Sequence, residues 1–297
     1  MVHRYCVGSL LLLVLVGVRP AVADAISFTG NTQADFSTAN TIGNYNYTGQ
    51  TAVPVMKNAS DIGEAPFITA NGWVSGWAVN NVEMSYNAVS NTMYVGLDSF
   101  TNASGQRAIF GDADGNGNPG GASPQMAAMG GLDPANMGGD KSVAIAFAAF
   151  NPSNPSAPGA AQIIAGIPAD KTLAGSGIDG FTVDKLNPAT TLLQNAFGSP
   201  LSSVSGNLAF NPSAAHPELE FSISNFSKSG IDPTKGFWIE LYAGSGQDVV
   251  AGEAGLIWTW VPPVEPQEIP EPTTLLVWAG LAGGMAWGFR RSRRLPS

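Results

Sequence analysis

Cysteine is almost missing from this 297-residue chain, whose single cysteine, Cys6, lies near the N-terminus. Histidine occurs twice, so zinc sites assembled from Cys or several His are excluded by count. Charge is scarce at 12% of residues, about half the usual share of roughly 25%. What charge there is leans acidic, with 13 Lys and Arg against 22 Asp and Glu and a net of −9. An acidic chain without a basic stripe outside its C-terminal tail repels a phosphate backbone, which excludes nucleic acid as a partner. No G-x-S-x-G elbow occurs. No fixed-period repeat marks a propeller or solenoid. Outside one C-terminal segment no long 3.6-residue apolar pattern is present; 190–197 is the one short helical stretch. Glycine (36) and proline (21) are plentiful but stay below the share of a disordered chain, so the body reads as folded and rich in turns.

The two ends read as targeting segments. His3 and Arg4 precede an apolar run over 7–18 and the small-residue sequence Ala21-Val22-Ala23. That is the pattern of a secretory signal peptide over 1–23, with cleavage after Ala23 or Ala25. Twelve apolar residues fall short of the ~20 a membrane span needs. Cleavage would remove Cys6 and leave a thiol-free chain in a compartment that permits disulfides. At the other end, 262–272 carries five prolines and reads as an extended spacer. An uncharged stretch over 273–289 follows, long enough at about 1.5 Å per residue to cross a thin hydrocarbon core as a transmembrane helix. Arg290, Arg291, Arg293 and Arg294 then form a basic cytoplasmic tail over 290–297.

The order Pro270-Glu271-Pro272, short apolar span, arginine cluster resembles the PEP-CTERM sorting signal. The resemblance covers about 30 residues and implies recognition by an exosortase. It implies export through an inner-membrane intermediate to the cell surface or extracellular matrix of a Gram-negative bacterium that makes extracellular polysaccharide. It implies nothing about the chemistry of the domain it carries. With both ends removed, seven basic residues remain against 22 acidic ones, a balance that suits cations and neutral ligands.

Between the ends, short or alternating apolar stretches bounded by Gly, Asn, Pro and Ser recur at 73–86, 92–97, 108–110, 142–150, 162–167, 219–226, 237–242 and 256–261. They predict an all-β fold: an antiparallel β-sandwich, jelly-roll-like, over 24–261, with a hairpin turning at 87–91. A split into two domains near 151–159 is the alternative.

One loop carries a chemical signature. In Gly111-Asp112-Ala113-Asp114-Gly115-Asn116-Gly117-Asn118, oxygen donors alternate before a glycine, as in the first half of a D-x-[DN]-x-[DN]-G calcium loop. Asp112, Asp114, Asn116 and Asn118 are the expected Ca2+ ligands. Position twelve is Ser123 rather than Glu, so further ligands must come from elsewhere, with Asp98, Asp133 and Asp140 nearby in sequence. The same residue types also build ordinary solvated turns. The formal G-x-G-x-x-G at Gly115, Gly117 and Gly120 lacks a following helix and has two aspartates beside it, which excludes a dinucleotide. His216 reads as a loop residue. Trp73 and Trp77, and Trp258 and Trp260, share strand faces at a spacing of two or four, as core or as a platform for sugar rings. The 243–253 stretch, with Asp248 and Glu253, reads as a hairpin connection.

These features predict a non-enzymatic surface or matrix protein with a calcium-stabilised structural or adhesive β-domain. The alternatives are a carbohydrate-binding module for extracellular polysaccharide and a carboxylate-based glycan-degrading enzyme.

Overall fold

The computed structural model describes residues 26–36, 50–133, 137, 139–160, 162–169, 180–190, 192–211, 215–245 and 254–263. The segments expected to be a signal peptide (1–23), a sorting motif at Pro270, Glu271 and Pro272, a membrane span (273–289) and a basic tail (290–297) lie outside them. Among the described residues no helix is long and apolar enough to cross a membrane.

The chain is mostly β, in two antiparallel sheets. The first contains β1 (Gln50–Pro54), β2 (Val79–Asn87), β3 (Thr92–Ser99), β8 (Ser205–Ala209) and β9 (Leu219–Ser224), in the order β1-β2-β3-β9-β8. The second contains β4 (Lys141–Ala149), β5 (Gln162–Ile167), β6 (Thr182–Leu186), β7 (Phe197–Pro200), β10 (Phe237–Ser245) and β11 (Ala254–Val261), in the order β11-β10-β4-β5-β6-β7. Consecutive strands are mostly hairpin partners within one sheet, whereas a jelly roll alternates between sheets. Residues 151–159 join β4 to its partner β5, so the alternative domain boundary is a connection inside one sheet. Among the described residues three short helices, α1 (Thr32–Asp35), α2 (Pro66–Ala70) and α3 (Pro124–Ala128), accompany the strands, with a few 3₁₀ turns.

Period-two alternation explains which face each strand buries. In the first sheet Met84 pairs with Val95 and Val95 with Phe221, while Val82, Leu97 and Leu219 form the next row. In the second, Ile239, Phe147 and Ile163 form one row and Leu241, Ile145 and Ala165 another. All these side chains are buried in a single apolar cluster, so the two sheets share one core in a sandwich-like arrangement. Phe226, just after β9, joins them: its ring lies 5.5 Å from Phe147 and 6.3 Å from Tyr86. The hairpin at 87–91 forms as the turn residues predict. Asn87 accepts hydrogen bonds from the Val89 and Ser90 N–H groups, and Asn91 adopts a left-handed φ of 51°.

Two expected strand segments are not strands. Residues 73–78 and 108–110 are loops, and they wrap the acidic loop instead. Trp73 and Trp77 are therefore not a surface pair. Trp77 is fully buried, edge-on to Phe110 at 6.3 Å, and Trp73 packs edge-on to Phe67. The short 190–197 segment is a 3₁₀ turn at Leu193–Asn195 leading into β7.

Candidate metal centre

Glycines shape the acidic loop. Gly111, Gly115 and Gly117 all have positive φ, at 83°, 67° and 85°. At Gly115 a Cβ would also lie 2.1 Å from the Val74 carbonyl oxygen, so only glycine lets the loop press against the 74–76 segment. There the Gly76 N–H donates to the Asp112 carbonyl at 2.7 Å.

Two aspartates fold the loop around themselves. Asp112 accepts from Gly115 N at 3.0 Å through Oδ1 and from Gly117 N at 2.7 Å through Oδ2. Asp114 accepts from Asn116 N at 3.2 Å and, through Oδ2, from Ser123 N at 2.7 Å. Ser123 caps α3, accepting from Met126 N at 3.2 Å. The chain then leaves α3 and returns Asp133 to the loop, where its Oδ1 accepts from Ala113 N at 3.3 Å.

Asp112, Asp114 and Asp133 thus converge, with one oxygen from each lying within 4.8 Å of the others. All three are buried, at 1%, 0% and 4% exposure. Lys141, the first residue of β4, is buried with them. Its ammonium donates to the Asp133 carboxylate and to the Gly111 carbonyl, and it lies 6.0 Å from the centre of the Trp77 ring. Three carboxylates against one ammonium leave the cluster short of positive charge. Burial, the Asp133 charge and the Asp114 charge push the Asp112 carboxyl up to about 7, against the pull of the Gly117 N–H and Lys141. Burial also raises Asp133, although Lys141 opposes it. The Asp133 Oδ2 is buried with no hydrogen-bond partner. Such an orphaned carboxylate oxygen is rare in a folded interior.

A cavity of about 470 Å3 reaches the loop, with Asp112, Gly115 and Gly117 on one side and Gln33, Arg107 and His216 on the other. Of the three aspartates Asp112 lines it, whereas Asp114 and Asp133 do not.

The expected ligands divide. Asp112 and Asp114 meet as the spacing predicts, and of the three outlying aspartates Asp133 joins them. Asn116 instead holds the loop's own backbone, donating to the Gly121 carbonyl at 2.7 Å and accepting from Asn118 N at 2.7 Å. The Asn118 side chain is exposed at the rim, and its carbonyl accepts from Gly121 N at 2.9 Å. Asp98 belongs to another group, paired with Arg107 at 2.6 Å and accepting from Asn80 at 2.6 Å. Asp140 accepts from Ser245 Oγ at 2.6 Å. The lysine is the member that residue spacing did not reveal. In sequence it is simply the residue after Asp140, and only strand pairing carries it under the loop. The 246–253 residues of the second acidic stretch, including Asp248 and Glu253, lie outside the described residues.

No protein-family model matches the chain, and no curated protein or solved structure matches it either.

Proposed function

We propose that this chain is an exported surface or matrix protein whose β-domain is structural and stabilised by a divalent cation, calcium, held at the acidic loop. One observation carries the cation: three buried aspartates from two separate segments converge, and one of their oxygens has no partner. An all-oxygen donor set suits a hard cation such as Ca2+. Asp112, Asp114 and Asp133 are its carboxylate ligands, and Asn116 and Asn118 keep the loop in the shape that presents them. Metal charge at this point supplies what Lys141 alone leaves uncompensated. The role in sorting rests on the resemblance at Pro270-Glu271-Pro272 and the arginine cluster, with an exosortase as the partner and the membrane as a stage before the surface.

Calorimetric titration of the purified full chain with calcium tests the cation. The expected result is one saturable site with Kd in the extracellular range of about 10⁻⁴–10⁻³ M, weakened at least about tenfold in Asp133→Asn. A chain that takes up no calcium would leave the cluster as a self-contained lysine–aspartate network.

A further inference from the structure

The outer face of the second sheet, away from the core, carries a register shift beside a group of aromatic side chains. Between β10 and β11 the pairing runs from Ile239 with Thr259 to Leu241 with Leu256, so Glu240 alone stands opposite both Ile257 and Trp258. That is a β-bulge, and bulges re-aim side chains. Leu256 keeps its place against the core, while Ile257 is left 83% exposed. Trp258 is placed over Glu240 on the outward face, beside Trp260 and Trp238, whose rings stand 5.5 Å apart. Phe150 extends this aromatic rim, 5.6 Å from Trp260.

A cavity of about 200 Å3 lies between Trp258 and Glu240 on one side and Leu186, Asn187 and Leu193 on the other, with Gln162 also lining it. Glu240 is half-buried, and burial raises its carboxyl. Among the described residues no hydrogen bond or ion pair reaches that carboxyl. Half-exposed, the carboxyl stays open to solvent and to a ligand's hydroxyl groups. Here it faces a concave space next to a flat ring. No lysine or arginine lines the space, so it offers nothing to an anionic ligand. It is smaller than the roughly 300 Å3 at which drug-sized pockets begin, which suits one ring rather than a larger molecule.

We infer that this bulge-built cavity binds a neutral glycan, with one sugar ring stacked on Trp258 and its hydroxyl groups held by Glu240, Gln162 and Asn187. A pyranose has the two matching properties, an apolar C–H face for the indole and a rim of hydroxyl donors for the carboxyl and amides. The site stands apart from the cation loop and does not depend on it.

Tryptophan emission of the purified full chain, titrated with a panel of neutral hexasaccharides (β-1,4-glucan, β-1,3-glucan, α-mannan and β-galactan) and one uronate hexamer, tests the assignment. At least one neutral hexamer should give a saturable change below about 10 mM, the level that fills a millimolar site. EDTA should leave it unaltered, because calcium plays no part. Trp258→Ala should weaken binding about tenfold or more. Glu240→Gln should weaken it by a smaller factor while leaving the melting temperature near that of the parent. If Trp258→Ala does not fold, Trp258→Phe and Glu240→Gln decide the matter. Failure of every neutral hexamer to bind, preference for the uronate, or equal affinity in a folded Trp258 variant would each overturn the assignment. Self-association abolished by Ile257→Ser, without any sugar effect, would reassign the face to contact between copies of the chain.

Discussion

Lys141 tests the cluster from the opposite side to its aspartates. Among the described residues it is the cation paired with this carboxylate cluster, and its removal leaves Asp133 without its ionic partner. Breaking such a buried pair costs about 3–5 kcal/mol. Lys141→Met should therefore lower the melting temperature sharply in EDTA, and calcium should restore much of the loss. The calcium-induced rise should exceed that of the parent, which thermal unfolding with and without calcium will show. An equal or smaller rise would mean that lysine and metal do not share the same carboxylates. At this scale the chain reveals part of itself in sequence. Alternation of Asp112, Asp114 and Asn116 before Gly117 marks the loop in which Asp112 and Asp114 meet, because that spacing acts within one turn. Asp133 and Lys141 arrive through α3 and through β4, and no local pattern encodes such returns.

Buried carboxyl groups hold the N-terminal segment carrying α1, which lies over the outer face of the first sheet. Its backbone is held by two fully buried glutamates of the 218–220 stretch. Gly30 N donates to Glu220 at 2.6 Å, and Thr32 N and Oγ1 both donate to Glu218 at 2.9 Å. Phe36 and Thr32 pack into the notch left by Gly96, where a Cβ would come within 2.7 Å of both side chains. Burial first, then the facing Asp35 carboxylate and Glu218, raise Glu220 to about 8 against the pull of the Gly30 N–H. Burial, Asp98 and Glu218 raise Glu83, in the same row of the sheet, to about 7. The folded state therefore keeps protons that the unfolded chain gives up above the ordinary range near 4.5. Stability contributed by these groups is full below that range and is lost as pH rises through about 7 and 8. Glu220→Gln, which keeps an acceptor for Gly30 and offers a donor to Asp35, should flatten this alkaline loss in melting curves between pH 5 and 9. A profile as steep as that of the parent would place the loss elsewhere. Gly96→Ala should destabilise by roughly 1–3 kcal/mol, through overpacking against Phe36, measurable by chemical denaturation.

The same scale shows which strands sequence pattern can find. β9 alternates cleanly in Leu219-Glu220-Phe221-Ser222-Ile223, and β4 and β5 are apolar runs, so their burial is written in composition. β7 and β8 are largely exposed, with Gly, Ser and Pro in their sequences, and lack that signal. The 73–78 stretch fails in the other direction: its apolar residues serve the core from a loop, since Gly76 must approach Asp112.

At the scale of the whole molecule, two antiparallel sheets share one core, and the acidic loop is pinned to it through Trp77, Phe110 and Lys141. A cation there would tie the 111–117 loop to Asp133 and thus to the start of β4 in the second sheet. Replacing Pro270, Glu271 and Pro272 with alanine should strand the protein in the inner membrane, read by cell fractionation. Unchanged delivery to the surface would remove that part of the account.

Melting of the full chain in calcium against EDTA tests the cation at the acidic loop. With a Kd of about 10⁻⁴–10⁻³ M, calcium at about 10 mM should raise the melting temperature by roughly 3–10 °C. Asp112→Ala combined with Asp114→Ala should abolish that rise. The same rise in the double variant, or none in the parent, would contradict the assignment of a cation to this loop.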